Sequence, residues 1–224
     1  MYSIDEAMAM IRAQARPDQV AGMAKFGIVG KGRLGLSVPA MRQIAKELGK
    51  DHRLALALWK TGSPDARIIA SMIDEPEKVT EAQMERWVSA FDSWDVCDQV
   101  CGNLFEKSPL GWQKAIEWAE RDEEYVKRAA FALMAGLAWH DKGAEDERFI
   151  SFLPIIARGA GDERNFVKKA VNWALRNIGK RNRKLNKAAV RTARTLQKLD
   201  SKAARWVAAD AIRELTSEAV QGRL

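Results

Sequence analysis

Val126-Lys127-Arg128-Ala129-Ala130 sets the pattern that decides the fold: a small apolar residue, a base, two open positions and a second small apolar residue. The pattern is met first at Ala66-Arg67-Ile68-Ile69-Ala70. It returns at Val167-Lys168-Lys169-Ala170-Val171 and at Ala204-Arg205-Trp206-Val207-Ala208. Between the first two copies, Val96-Cys97-Asp98-Gln99-Val100 keeps the apolar ends, puts Cys97 in the basic slot and follows it with an acid. Successive copies are 30, 30, 41 and 37 residues apart, lengths that suit two-helix repeats of the HEAT or armadillo type. Residues four apart share one helical face, so small ends let helices of neighbouring repeats pack closely.

Outward from these segments the chain reads as helix after helix. Helices are predicted near 3–15, 17–26, 38–49, 51–61, 63–73, 80–91, 93–106, 109–120, 122–139, 145–158, 162–178, 182–198 and 200–215. Ser37-Val38-Pro39, Ser63-Pro64-Asp65 and Ser108-Pro109 each put a capping hydroxyl at or beside a first-turn proline. Asp92 and Ser93 supply a cap for the next segment. Only Phe26 to Val29 reads as a short strand, and Pro154 should kink or split its helix. The connections are short and there is no linker, so residues 1–224 are expected to form a single all-α domain, a HEAT-like or armadillo-like solenoid.

Composition narrows the function classes. In 224 residues, 47% are hydrophobic and 30% charged, which excludes wholesale disorder. The charge-free stretch Ala129 to Trp139 is eleven residues long, about half of what a bilayer span of ~20 requires. Asp5 and Glu6 precede any apolar leader core, so a cytoplasmic protein without a signal peptide or membrane anchor is expected. Cys97 and Cys101 read as buried thiols. His52 and His140 are too few and too scattered for a usual zinc site, and no metal is expected.

Charge is distributed unevenly. The net charge is +7, yet Arg164 to Lys198 holds twelve Lys and Arg and no acid, which leaves 25 bases against 30 acids elsewhere. Such polarity suits a polyanionic partner, the bland alternative being a solvated basic face. If the repeats stack, the third slot of the pattern forms a row: Ile68, Asp98, Arg128, Lys169 and Trp206. One turn away on the same faces stand Trp94 beside Asp98 and Trp173 beside Lys169, followed by Arg176 and Lys180. An acid flanked by an aromatic in an otherwise basic row breaks the local rule, as functional sites do.

These residues also carry a resemblance. Asp92-Ser93-Trp94-Asp95-Val96-Cys97-Asp98 resembles the Trp-Asp-x-x-Asp motif of the bacterial DNA alkylation repair glycosylases of the AlkD type. Leu34-Gly35-Leu36-Ser37-Val38-Pro39 with Arg42 is similar to the family's Gly-x-x-x-Pro-x-x-Arg segment, Val126 to Ala130 to its Arg-Ala-Ala helix, and Phe166 to Arg176 to its Phe-x-x-Lys-Ala-x-x-Trp-x-Leu-Arg helix. Four motifs in order span roughly residues 34 to 176. The resemblance implies a C-shaped HEAT-like fold that holds duplex DNA on a basic concave face and releases cationic alkylpurines such as 3-methyladenine and 7-methylguanine, with no metal or organic cofactor. It implies that Asp98 is the catalytic carboxylate, Trp94 and Trp173 the aromatics at the lesion, and Arg128 the associated arginine. Members often carry a second tryptophan before the motif tryptophan; here that position is Ser93.

The chemistry stands beside the resemblance. A cationic purine leaves deoxyribose as a neutral base, so no proton need be delivered, and a carboxylate can stabilise the oxocarbenium-like sugar and orient water. Tryptophan faces attract cationic bases. Lys31 and Arg33, in the loop Gly30-Lys31-Gly32-Arg33-Leu34-Gly35, are candidate phosphate ligands together with Lys169, Arg176, Lys180, Arg181 and Arg183. That loop matches G-x-G-x-x-G but lacks the strand–helix setting of a dinucleotide site. For Trp94 and Trp173 a core position, and for Asp98 and Arg128 a helix-dipole or salt-bridge role, stand as alternatives. Two functions follow: a monomeric glycosylase on double-stranded DNA, or a non-catalytic module that binds DNA structures or another acidic partner.

Overall fold

The computed structural model describes residues 2–224. Among them are fourteen α-helices, three short 3-10 turns and no strand, and the chain divides into two compact units, Met1–Leu110 and Gly111–Leu224. No helix among the described residues is long and apolar enough to cross a membrane.

The first unit contains α1 (Ile4–Ala13), α2 (Pro17–Ala24), α3 (Val38–Leu48), α4 (His52–Lys60), α5 (Pro64–Ile73), α6 (Glu81–Val88) and α7 (Trp94–Asn103). Polar caps start several of them. Ser37 accepts the Ala40 N–H, Asp51 the Leu54 N–H and Thr80 the Gln83 N–H, each satisfying a first-turn donor. The centre of the unit is α5, whose Ala66, Ile68, Ile69, Ala70 and Ile73 are buried, and which packs against α3, α4 and α7. Trp59 of α4 and Trp87 of α6 stack with ring centres 3.9 Å apart.

The second unit contains α8 (Gly111–Glu117), α9 (Glu124–His140), α10 (Asp146–Gly159), α11 (Asn165–Gly179), α12 (Arg183–Leu196), α13 (Lys202–Leu215) and α14 (Glu218–Gln221). It has two layers: α9, α11 and α13 pack in series, and α10 packs on α12 beside them. Small residues allow the approach. A Cβ on Gly179 would sit 2.6 Å from a Leu215 methyl and 3.0 Å from the Ala189 Cβ. Amide side chains tie the helices where the backbone has spare acceptors. Asn177 donates to the Ala135 carbonyl at 3.0 Å, and Asn186 to those of Gly179 and Leu215 at 3.0 and 3.1 Å.

The five copies of the sequence pattern fall on α5, α7, α9, α11 and α13, the second helices of successive pairs, and all ten apolar end positions are buried. Basic slots reach to the next repeat. Arg67 donates to the Ala90 carbonyl at 3.0 Å, Lys127 lies 4.0 Å from Asp162, and Lys168 sits 5.2 Å from the Trp206 ring centre.

Three local expectations are corrected. Phe26 to Val29 is not a strand: it belongs to an irregular loop that turns at Gly27 and Gly30, both at positive φ. Pro154 does not split α10, because it lies on the solvent-facing side, where water can satisfy the carbonyl it leaves unbonded. Ser108 does not cap a helix; its hydroxyl donates back to the Phe105 carbonyl at 3.1 Å, and α8 begins at Gly111.

Candidate functional site

In the first unit the site is the exposed side of α7 with the loop that fixes its start. Val96, Cys97, Val100 and Cys101 face the core, which turns Trp94 and Asp98, one helical turn apart, to the partly exposed side. Neither is a core residue. Burial and the hydrogen bond with Cys97 push the Cys101 thiol well above its ordinary value, and it stays protonated and inert.

Residues 25–36 hold the beginning of α7 from several directions. Trp94 donates its indole N–H to the Phe26 carbonyl at 3.0 Å, which sets the plane of the ring. Arg33 pairs with Asp95 at 2.9 and 3.0 Å and donates twice to the Val29 carbonyl, at 3.0 and 2.7 Å. Ser93 occupies the cap position but its hydroxyl does not cap. It accepts the Val29 N–H at 3.2 Å and donates to Asp95 at 2.5 Å. From α5, the buried Asp65 carboxylate accepts the Leu34 and Leu36 N–H groups at 2.7 and 2.9 Å, and Ser63 donates to the Gly32 carbonyl at 3.2 Å. The glycines therefore serve the path of the backbone. Gly30 has φ +123° and a Cβ there would meet Pro64 at 2.7 Å.

In the second unit the candidate residues lie on α9 and α11. Arg128 is buried and donates to the Phe166 carbonyl, fixing the first turn of α11 to α9. Lys169 is exposed and makes no ion pair among the described residues; Trp173, one turn on, is half-buried. The next two bases along that face are engaged. Arg176 pairs with Glu214 and lies 3.5 Å from Asp210, and Lys180 pairs with Glu214 at 2.9 Å. Burial works to raise the Glu214 carboxyl, but the Lys180 hydrogen bond and the two cations outweigh it and hold it below the ordinary value.

The structure thus sorts the predicted phosphate ligands. Lys31 and Lys169 are exposed without ion pairs among the described residues. Arg33 is buried and belongs to the frame of the loop, because its guanidinium is saturated by Asp95 and Val29. Arg181 donates to the Ala138 carbonyl at 2.7 Å and lies 4.0 Å over Phe149, so it is committed to packing. Arg176 and Lys180 face α13 carboxylates, and exposed Arg183 donates to the Leu224 carbonyl at 3.1 Å.

Sequence reasoning missed Asp65 and Ser93 as loop anchors and the pair Asp210 and Glu214. The latter had a signal. Asp210 and Glu214 follow Asn172 and Arg176 by 38 residues, close to the last repeat interval, so acids at that offset face the preceding helix.

A family model described as DNA alkylation repair enzyme matches residues 7–215. None of the curated proteins matches the chain in sequence. Among solved structures, one described as "a new family of proteins related to the HEAT-like repeat DNA glycosylases with affinity for branched DNA structures" superposes with a TM-score of 0.79 at 19% identity, covering 95% of each chain. An engineered protein gives 0.45 at 12% identity over 96% of this chain and 99% of its own. A designed armadillo repeat protein gives 0.37 at 15% identity over 80% and 92%. The fold is that of the HEAT-like repeat proteins.

Proposed function

From the premise that this chain belongs to the DNA alkylation repair enzyme family, we propose that it binds duplex DNA on its second helices and releases positively charged alkylpurines by hydrolysis of the N-glycosidic bond. The observation that carries this reading is the placement of Trp94 and Asp98 on the partly exposed side of α7, with the indole anchored to the Phe26 carbonyl. A carboxylate and an aromatic face, one turn apart and outside the core, are the two groups this chemistry calls for.

The leaving base already carries the charge, so the bond breaks without an acid. Asp98 stabilises the developing sugar cation and orients the water that attacks the anomeric carbon. Trp94 attracts the cationic base and packs on sugar, and Trp173, on α11 of the second unit, offers an aromatic face of the same kind. Arg128 is a positioning residue that keeps α11 in register with α9. Lys169 and Lys31 neutralise phosphates. Incubation with methylated duplex DNA and detection of released 3-methyladenine and 7-methylguanine tests the reading. Asp98→Asn should lower single-turnover release by about two to four orders of magnitude, with DNA affinity nearly unchanged. Near-normal release by the variant would remove Asp98 from the mechanism.

A second reading, a module that binds branched DNA without turnover, is favoured by Ser93. The family resemblance leads one to expect a tryptophan at this position, and here a buried serine is built into the loop. It is also the affinity ascribed to the structure with a TM-score of 0.79. Absence of base release by the unmodified protein on both lesions, with DNA binding intact, would decide for it.

A further inference from the structure

The acid-free block does not act as one surface. On α11, Arg176 and Lys180 are paired with α13 carboxylates, and at the start of α12 Lys184 is paired with Glu147. Beyond that point Lys187, Arg191, Arg194 and Lys198 are exposed, and their side chains make no ion pair among the described residues. Lys187, Arg191 and Arg194, spaced by four and three, form one stripe on α12 opposite the buried Leu185, Ala189, Ala193 and Leu196, and Lys198 follows in the turn just past the helix end. The helical stripe is ~10 Å long at ~1.5 Å per residue. Each strand of a duplex presents a charge about every 3.4 Å of its axis, so this length matches several phosphates.

The stripe also has a shaped border. Lys187, Arg191 and Arg194 line an open concavity of about 490 Å³ with Asn186, Thr216 and Gln221. Its floor is rigid: Gln221 donates to Asn186 at 3.2 Å and to the Leu215 carbonyl at 2.6 Å, while Asn186 holds α11 to α13. In the two-layer unit, α12 belongs with α10, whereas Lys169 and Trp173 belong to the α9–α11–α13 layer.

We propose that this flank of α12 is a second nucleic-acid contact surface, taking the phosphate backbone of a duplex segment other than the one held on the second helices. Charge complementarity carries the assignment: three unpaired bases in a line on α12, a fourth just past its end, and no acid in the helix. It rests on the DNA-binding reading above, and the two are separable by experiment. A short duplex is immobilised, the protein is bound to it, and capture of a second, labelled duplex is measured. The unmodified protein should capture it. The triple variant Lys187→Glu, Arg191→Glu, Arg194→Glu, checked for an unchanged melting curve, should stay on the first duplex within about threefold. It should capture the second at least about tenfold less, and the salt slope of that capture should fall by ~0.9 per lost contact. Unchanged capture by the variant, or equal loss of both duplexes, overturns the inference. Retention on the first duplex with no capture of a second by the unmodified protein overturns it alone. Failure to bind the first duplex overturns both readings.

Discussion

Replacing Arg33 by methionine separates a structural arginine from a phosphate ligand. In the folded protein the Arg33 side chain is 2% exposed and Asp95 15% exposed, and the guanidinium makes two contacts to the carboxylate and two to the Val29 carbonyl. Removing one partner of a buried ion pair costs about 3–5 kcal/mol, because the other charge stays behind. Asp95 keeps the Ser93 hydroxyl as a donor and has some access to water, so the lower end, about 3 kcal/mol, is expected. With a urea slope of roughly 2–3 kcal/mol per molar for a chain of this size, the midpoint should fall by about 1 M. The double variant with Asp95→Asn should recover part of the loss, giving a coupling energy of about 1.5–3 kcal/mol in the cycle. DNA affinity of the folded fraction should change less than about threefold, since a saturated guanidinium offers a phosphate nothing. A loss of stability below about 1 kcal/mol combined with a tenfold loss of DNA affinity would refute this and return Arg33 to the phosphate ligands.

Gly30→Ala should destabilise the protein by about 1–3 kcal/mol in the same urea assay, because the residue has φ +123° and a Cβ would collide with the Pro64 ring. Glu214→Gln should release Lys180 and leave Arg176 with Asp210 alone, so that DNA binding tightens and its salt dependence steepens; titration against duplex at several salt concentrations reads both. The same variant has a pH signature. A carboxyl whose value is lowered in the folded state stabilises it above the unfolded value of ~4.3. That contribution is lost as pH falls through the lower folded value, so melting curves of the variant and the unmodified protein should differ at pH 7 and converge in acid.

The architecture was legible because a repeat is read many times. Each of the five pattern copies was weak alone, but small residues four apart must be buried wherever helices stack, and Ala66 through Ala208 obeyed that at every copy. The outward position of Trp94 and Asp98 followed from the same periodicity. What escaped was decided by tertiary partners. Nothing local distinguishes Arg33, saturated by an aspartate 62 residues away, from Lys31 two positions earlier, which is exposed. Likewise the bases of α11 and those of α12 look alike in the chain, and differ because α13 brings carboxylates to one helix and not the other. Ser63 and Ser93 stand where a cap belongs, yet both hydroxyls turn to the loop because its carbonyls and N–H groups need partners more than the helix termini do.

The lock between the loop and α7 makes residue 93 something other than an independent site. Its hydroxyl completes the same polar cluster as Arg33, Asp95 and the Val29 backbone, and Ser93 itself has no exposed surface. An indole placed there would have to expel the loop, and with it the carbonyl that orients Trp94. Residues 26–36 and 93–95 therefore act as one structural unit, in which a change at 93 is felt at Arg33, Asp95 and the carbonyl that orients Trp94.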